Sequence, residues 1–150
     1  MDAVTYPEKD VIEFVERHLV PLRIAHDSKP LATDFNVKWT PTHVICDPAG
    51  REHHRAVGFM APEEFIPFLL LGIARVHFDQ EYYQEATTYL EKLLAGYPKS
   101  EAAPESVYLR GVALYKSTGD PKPLKKIYEQ LQSDYPASAW LKRASPYRLL

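Results

Sequence analysis

Apolar residues change their spacing along this chain near residue 65. Before that point, short apolar runs alternate with turn formers. After it, apolar residues recur every three to four positions, the period of a helix with one buried face. In the first part, Pro7 to His18 is predicted to be a helix, with Pro7 near its start and Val11, Ile12, Phe14 and Val15 on the apolar side. Leu19 to Ala25 (LVPLRIA) is apolar and branched enough for a buried strand, with Pro21 marking an edge or a strand start. Asp27 and Ser28 offer caps for a short helix from Pro30 to Phe35. Thr42 to Cys46 is a second strand, Asp-Pro-Ala-Gly a turn, and Glu52 to Gly58 a third, more polar strand antiparallel to the second.

The second part contains four predicted helices, Glu64 to Asp79, Glu81 to Gly96, Glu101 to Ser117 and Pro121 to Tyr135, with a shorter fifth from Ser138 to Ala144. Their connections are short, so neighbours must run antiparallel. Two of the breaks repeat each other: GYPKSEAAP and DYPASAWLK both close a helix with Tyr-Pro-x-Ser, 38 residues apart. That spacing is close to the roughly 34-residue period of helix-turn-helix solenoids. Ala74, Ala86, Leu90, Leu93 and Pro98, then Gly111, Leu124, Tyr128, Leu131 and Pro136, fall at the small, large, apolar and proline positions of two such units. In this pattern the segment resembles tetratricopeptide repeats, which implies a helical array that takes polypeptide partners.

The first part resembles a different family. Val20 to Asp27 matches a strand ending in Asp, Leu31 to Val37 a short helix, and Thr40-Pro41-Thr42 (in WTPT) a proline loop at the mouth of a strand. Asp47 to Gly50 matches a hairpin turn, and Gly58 a glycine before the last helix. In this order residues 4 to 75 resemble the thioredoxin family from just past its redox motif to its end. The resemblance implies a cis bond before Pro41, which an X–Pro linkage disfavours by only ~0.5–1 kcal/mol. It further implies that the exposed main chain at Trp39, Thr40, Pro41 and Thr42 pairs with an extended peptide.

The chain departs from that family where the chemistry sits. The central strand and the Cys-x-x-Cys segment have no counterpart, so no thiolate pair attacks or resolves a disulfide. Leu19–Ala25 and Thr42–Cys46 would flank the missing strand and expose unpaired backbone. There are three possible resolutions: a natural start upstream of Met1 that carries the motif, direct closure of the two strands, or pairing supplied by a neighbouring chain. The first is the favoured expectation, and the exposed edges would also allow a homodimer.

Composition and charge narrow the remaining classes. With 150 residues and 45 % apolar content, the chain can bury one core or two coupled ones. A net charge of −2 without a long basic run gives no case for nucleic acid. The longest apolar stretch, Phe65 to Ala74, is too short to cross a bilayer, and the N-terminus as given shows no export pattern; a cytoplasmic location is the expectation. Cys46 is the single cysteine and reads as a small buried hydrophobe. His53 and His54 are adjacent on a strand and should point to opposite faces, so unless a bulge intervenes they do not read as a metal pair. His18, His26, His43 and His77 show no ligand spacing. No nucleophile triad, phosphate loop or paired-carboxylate cleft is found, and no cofactor is expected. The many tyrosines of the helical half should mostly pack, and Lys122, Lys125, Lys126, Lys142 and Arg143 form a solvated basic end.

No flexible linker separates the parts. The helix from Pro62 to about Asp79, a rod of roughly 27 Å, should close the first part and open the repeats. The expected fold is therefore α/β then all-α: an incomplete thioredoxin-like βαβ-ββα unit, residues 1–78, sharing its last helix with helical hairpins, residues 64–150. The expected function is non-catalytic polypeptide binding. The alternatives are a thiol-disulfide oxidoreductase whose motif lies upstream of Met1, and a purely structural scaffold.

Overall fold

Strand β1 (Thr42–Cys46) and strand β2 (Glu52–Val57) form an antiparallel hairpin in the computed structural model, which describes all residues from Met1 to Leu150. Thr42 pairs with Val57, His43 with Ala56, Val44 with Arg55 and Ile45 with His54. Cys46 then faces Glu52, so His53 is an extra residue, a β-bulge. The expectation that His53 and His54 point to opposite faces fails here. The bulge breaks the two-residue alternation, and both imidazoles engage the next helix. Asp47 holds the turn: its carboxylate accepts from the backbone N–H of Ala49 (2.9 Å) and of Arg51 (3.0 Å). The Gly58 N–H donates to the Pro41 carbonyl at 2.8 Å, so the alternation of the ladder aims the main-chain groups of Thr42 and Val44 away from β2. The sheet has only these two strands, and that edge of β1 is unpaired.

Helix α1 (Lys9–His18) begins two residues later than expected, and α2 (Leu31–Asp34) is a single turn. Between them the predicted buried strand at Leu19–Ala25 does not form. The run takes no regular secondary structure, joins no sheet and leaves Val20 at 97 % and Leu22 at 75 % exposure. β-Branched and apolar residues favour a strand only through neighbours to pack and pair with, and no strand lies beside this one. Leu19 at its start packs against the main core, and Arg23 forms an exposed ion pair with Asp2 (2.9 Å). The βαβ part of the expected architecture is thus corrected to a hairpin preceded by two helices.

Helix α3 (Pro62–Asp79) has Pro62 in its first turn, where a missing N–H costs nothing. Ten consecutive residues, Phe65 to Ala74, are buried, which a helix achieves only when packed on several sides. On one side Phe68 stacks on His54, with ring centroids 4.6 Å apart, and Gly72 lies against Ile45. On the other lies helix α4 (Tyr83–Gly96), the neighbour with which α3 makes its broadest contact. One core cluster therefore joins Val11 of α1 and Ile45 of β1 to α3, to Leu90 and Leu93 of α4, and to Ala103 of the next helix.

Helices α5 (Ala103–Thr118), α6 (Lys122–Asp134) and α7 (Ala139–Ala144) complete the array, each packing on its predecessor. The two Tyr-Pro-x-Ser breaks fold alike: Ser100 N–H donates to Tyr97 O (3.1 Å) and Ser138 N–H to Tyr135 O (3.0 Å). The Tyr135 hydroxyl also donates to the Pro98 carbonyl at 2.6 Å, tying one break to the other. Small residues sit where helices approach: Ala74 and Ala86 are fully buried, and a Cβ on Gly111 would stand 2.2 Å from Ile127 of α6. Gly119 stops α5 in a left-handed conformation (φ 73°) that suits glycine. A second cluster, Val107, Leu124, Ile127, Leu131 and Ala144, fills this end. A 3₁₀ turn at Ser145–Leu149, not anticipated from the sequence, stacks Tyr147 on Tyr108. No helix is long and apolar enough to cross a membrane.

Candidate functional site

The segment Trp39–Thr42 leaves the body of the protein between α2 and β1. After α2, Asn36 takes a left-handed conformation (φ 47°), which asparagine tolerates better than most residues, and reverses the chain. The Val37 N–H returns to the Ala32 carbonyl at 2.9 Å. Arg55 of β2 donates to the Phe35 carbonyl at 2.6 Å and pins the end of α2 to the sheet, while its guanidinium also pairs with Glu52. The loop beyond Lys38 is held at its two ends and free in the middle. The Thr42 hydroxyl donates to the Trp39 carbonyl (2.5 Å), and Pro41 O accepts from Gly58. The N–H and C=O of Thr40 make no hydrogen bond within the protein. The Thr40–Pro41 peptide bond is cis, and so is Lys29–Pro30, which the sequence did not suggest.

Trp39 is 71 % exposed, unusual for the largest apolar side chain in a protein that buries its other tryptophan partly against Tyr108 and Arg143. Beside it lies an open cavity of about 320 Å³, lined by His26, Val37, Lys38, Trp39 and Thr40. A smaller one of about 190 Å³ continues it over α2 and shares His26, Val37 and Lys38. Of the four residues expected at the site, Trp39 and Thr40 line the larger cavity and Pro41 and Thr42 do not. His26, Val37 and Lys38 were missed by sequence reasoning. Val37 and Lys38 adjoin Trp39 in sequence, but only the three-dimensional path of the chain brings His26 there.

Behind the loop, His43 of β1 shares a hydrogen bond with the Tyr6 hydroxyl (2.9 Å), and its Nδ1 is buried without a partner. Burial lowers the pKa of His43 and raises that of Tyr6, so both are neutral supports at physiological pH. Cys46, at the far end of β1, is half-buried. Burial and the carboxylates of Glu52 and Asp47 push its thiol pKa up, the reverse of what a nucleophile needs. No group of three or more His, Cys, Asp or Glu side chains is gathered as a metal site would require.

On the helical side, Arg75 of α3 donates to Glu105 of α5 (Nε to Oε1, 2.7 Å), and Glu64 of α3 accepts from the Glu101 N–H (3.0 Å). These polar clamps bind α3 to α5 and to the turn that precedes α5. Among the tyrosines, Tyr82 and Tyr115 are exposed, while Tyr89, Tyr97, Tyr108, Tyr128 and Tyr135 are half-buried packing residues. Lys122, Lys125 and Lys126 are exposed and take part in no ion pair.

Residues 105–138, from the first turn of α5 through α6 to the second Tyr-Pro break, match the family model of the tetratricopeptide repeat. No curated protein and no solved structure matches the chain. The matched repeat points to protein–protein interaction, and the two-stranded sheet followed by a helical array is compatible with such repeats.

Proposed function

We propose that this protein is a non-catalytic polypeptide-binding module in which a thioredoxin-like first unit, residues 1–78, and two tetratricopeptide-like hairpins, residues 64–150, share α3. The partner is an extended polypeptide that lies across Trp39–Thr42. The observation that carries this reading is the combination of an exposed Trp39 with a neighbouring Thr40 whose main-chain donor and acceptor are both unspent, beside a cavity. An exposed residue whose main-chain donor and acceptor have no internal partner suits another main chain, and pairing of that kind gives affinity without strict sequence demands. Trp39 would add the apolar contact, since tryptophan dominates binding surfaces of this kind. The helical array offers a second surface, to which the repeat match lends support.

Titration with a fluorescently labelled, reduced and alkylated unfolded polypeptide tests the reading. Trp39→Ala should weaken binding about 30-fold, the equivalent of a ~2 kcal/mol hot spot, while the far-ultraviolet circular dichroism is unchanged. Equal binding by the wild type and the variant, or no binding by the wild type, would refute it.

A further inference from the structure

The bulge at His53 places its imidazole, 9 % exposed, between two carboxylates from different elements. Nδ1 stands 2.6 Å from Asp79 Oδ2 at the C-terminal end of α3, and Nε2 stands 3.3 Å from Asp47 Oδ2 in the hairpin turn. An ionised carboxylate can only accept. Asp47 is ionised, because it already accepts from Ala49 N–H, Arg51 N–H and Arg51 Nε (2.8 Å). The backbone bond from Arg51 is the largest of the influences that hold its carboxyl well below the usual range, with His53 and the Arg51 guanidinium adding to it. With a carboxylate oxygen within reach of each ring nitrogen, only the doubly protonated ring can donate to both, whereas a neutral ring turns one lone pair toward a carboxylate.

We propose that His53, as an imidazolium, is a pH-dependent clasp that fastens the tip of the β-hairpin to the end of α3, and that its deprotonation releases one side of the bridge. A neutral ring keeps one N–H, and its other nitrogen turns a lone pair toward a carboxylate. The clasp joins the hairpin that carries the Trp39–Thr42 loop to the helix that opens the repeat array. Proton loss therefore loosens the contact between the two surfaces.

The charged and titratable groups around His53 are few. From the turn come Asp47 and Arg51, which pair with each other, and from α3 comes Asp79. On β2 itself Glu52 and Arg55 pair with each other, and Cys46 faces the bulge. The neighbouring His54 behaves oppositely: burial against Phe68, and then Arg75, push its pKa down to about 4, so it stays neutral where His53 is charged. The hydrogen bond to Asp79, opposed by burial and helped by Asp47, raises the pKa of His53. Stabilisation by the clasp is therefore whole below the unfolded value of roughly 6.5 and is lost as pH climbs through the higher folded value.

Imidazole ¹H–¹⁵N correlation spectra of the full chain across neutral and mildly alkaline pH read this directly. His53 should carry protons on both nitrogens at neutral pH and titrate above a histidine in a short unstructured peptide. Asp79→Asn, a change at a half-exposed side chain, should shift that midpoint down. Over the same range, amides of Asp47 and of residues 49–52 should exchange faster than base catalysis alone explains, and His53→Gln should remove that excess. A His53 midpoint at or below the peptide's, no downward shift in Asp79→Asn, or the same excess exchange in His53→Gln would each overturn the clasp.

Discussion

Ala86→Trp should strongly destabilise the helical part of this protein and draw the hairpin's stability down with it. Ala86 is fully buried on the stripe of α4 that also carries Leu90 and Leu93, both without exposure. Adding single methylenes to a packed core costs ~1–3 kcal/mol, and an indole adds many at a point where α4 meets both α3 and α5. A loss of at least about 3 kcal/mol is expected, and each kcal/mol lowers the melting temperature of a chain this size by about 2–4 °C. The effect should reach the sheet because Leu90 and Leu93 share one core cluster with Val11 and Ile45. The wild type should accordingly melt in one calorimetric transition, with the hairpin and the helices lost together. Two separated transitions would contradict a common core built on α3.

Gly72→Leu should be nearly as damaging, but its damage should begin at the sheet. A Cβ at this position would stand 2.0 Å from Ile45 Cδ1, 3.1 Å from Ile45 Cγ1 and 3.2 Å from His54 Cδ2. Ile45 is itself buried and the His54 ring is stacked on Phe68, so neither can retreat freely. Leucine is the better helix former by up to about 1 kcal/mol, but α3 would have to separate from the hairpin to admit it. The net expectation is a loss of about 3 kcal/mol in urea unfolding, with amides of β1 and β2 losing exchange protection before those of α4 and α5. Equal loss across all elements, or a gain in stability, would count against this contact as the seam between the parts.

Features legible in the sequence separate from those hidden in it along one physical line. Ala74, Ala86 and Gly111 are legible because helix spacing is local: a small residue recurring on an apolar stripe already implies a close neighbour, whatever that neighbour is. The two Tyr-Pro-x-Ser breaks are legible for the same reason, and their shared hydrogen bonds are formed within a few residues. Leu19–Ala25 misleads because strand character is only half a property of the strand; the other half belongs to a partner, and none lies beside it. The bulge at His53 is invisible in REHHRAV, since it depends on how Cys46 and Glu52 fall opposite each other. With it the Asp47–His53–Asp79 bridge was out of reach. At the candidate site, Trp39 to Thr42 stand out through composition and proline placement. His26 joins the cavity only through the three-dimensional course of the chain.

Amide hydrogen exchange at Thr40, with and without a saturating reduced and alkylated unfolded polypeptide, bears most directly on the proposed function. The Thr40 N–H has no acceptor in the free protein, so it should exchange quickly alone and slow by at least tenfold when the extended chain pairs with it, while amides in the interior of α5 change little. Undiminished exchange at Thr40 while the polypeptide is demonstrably bound would place the partner elsewhere and contradict the reading.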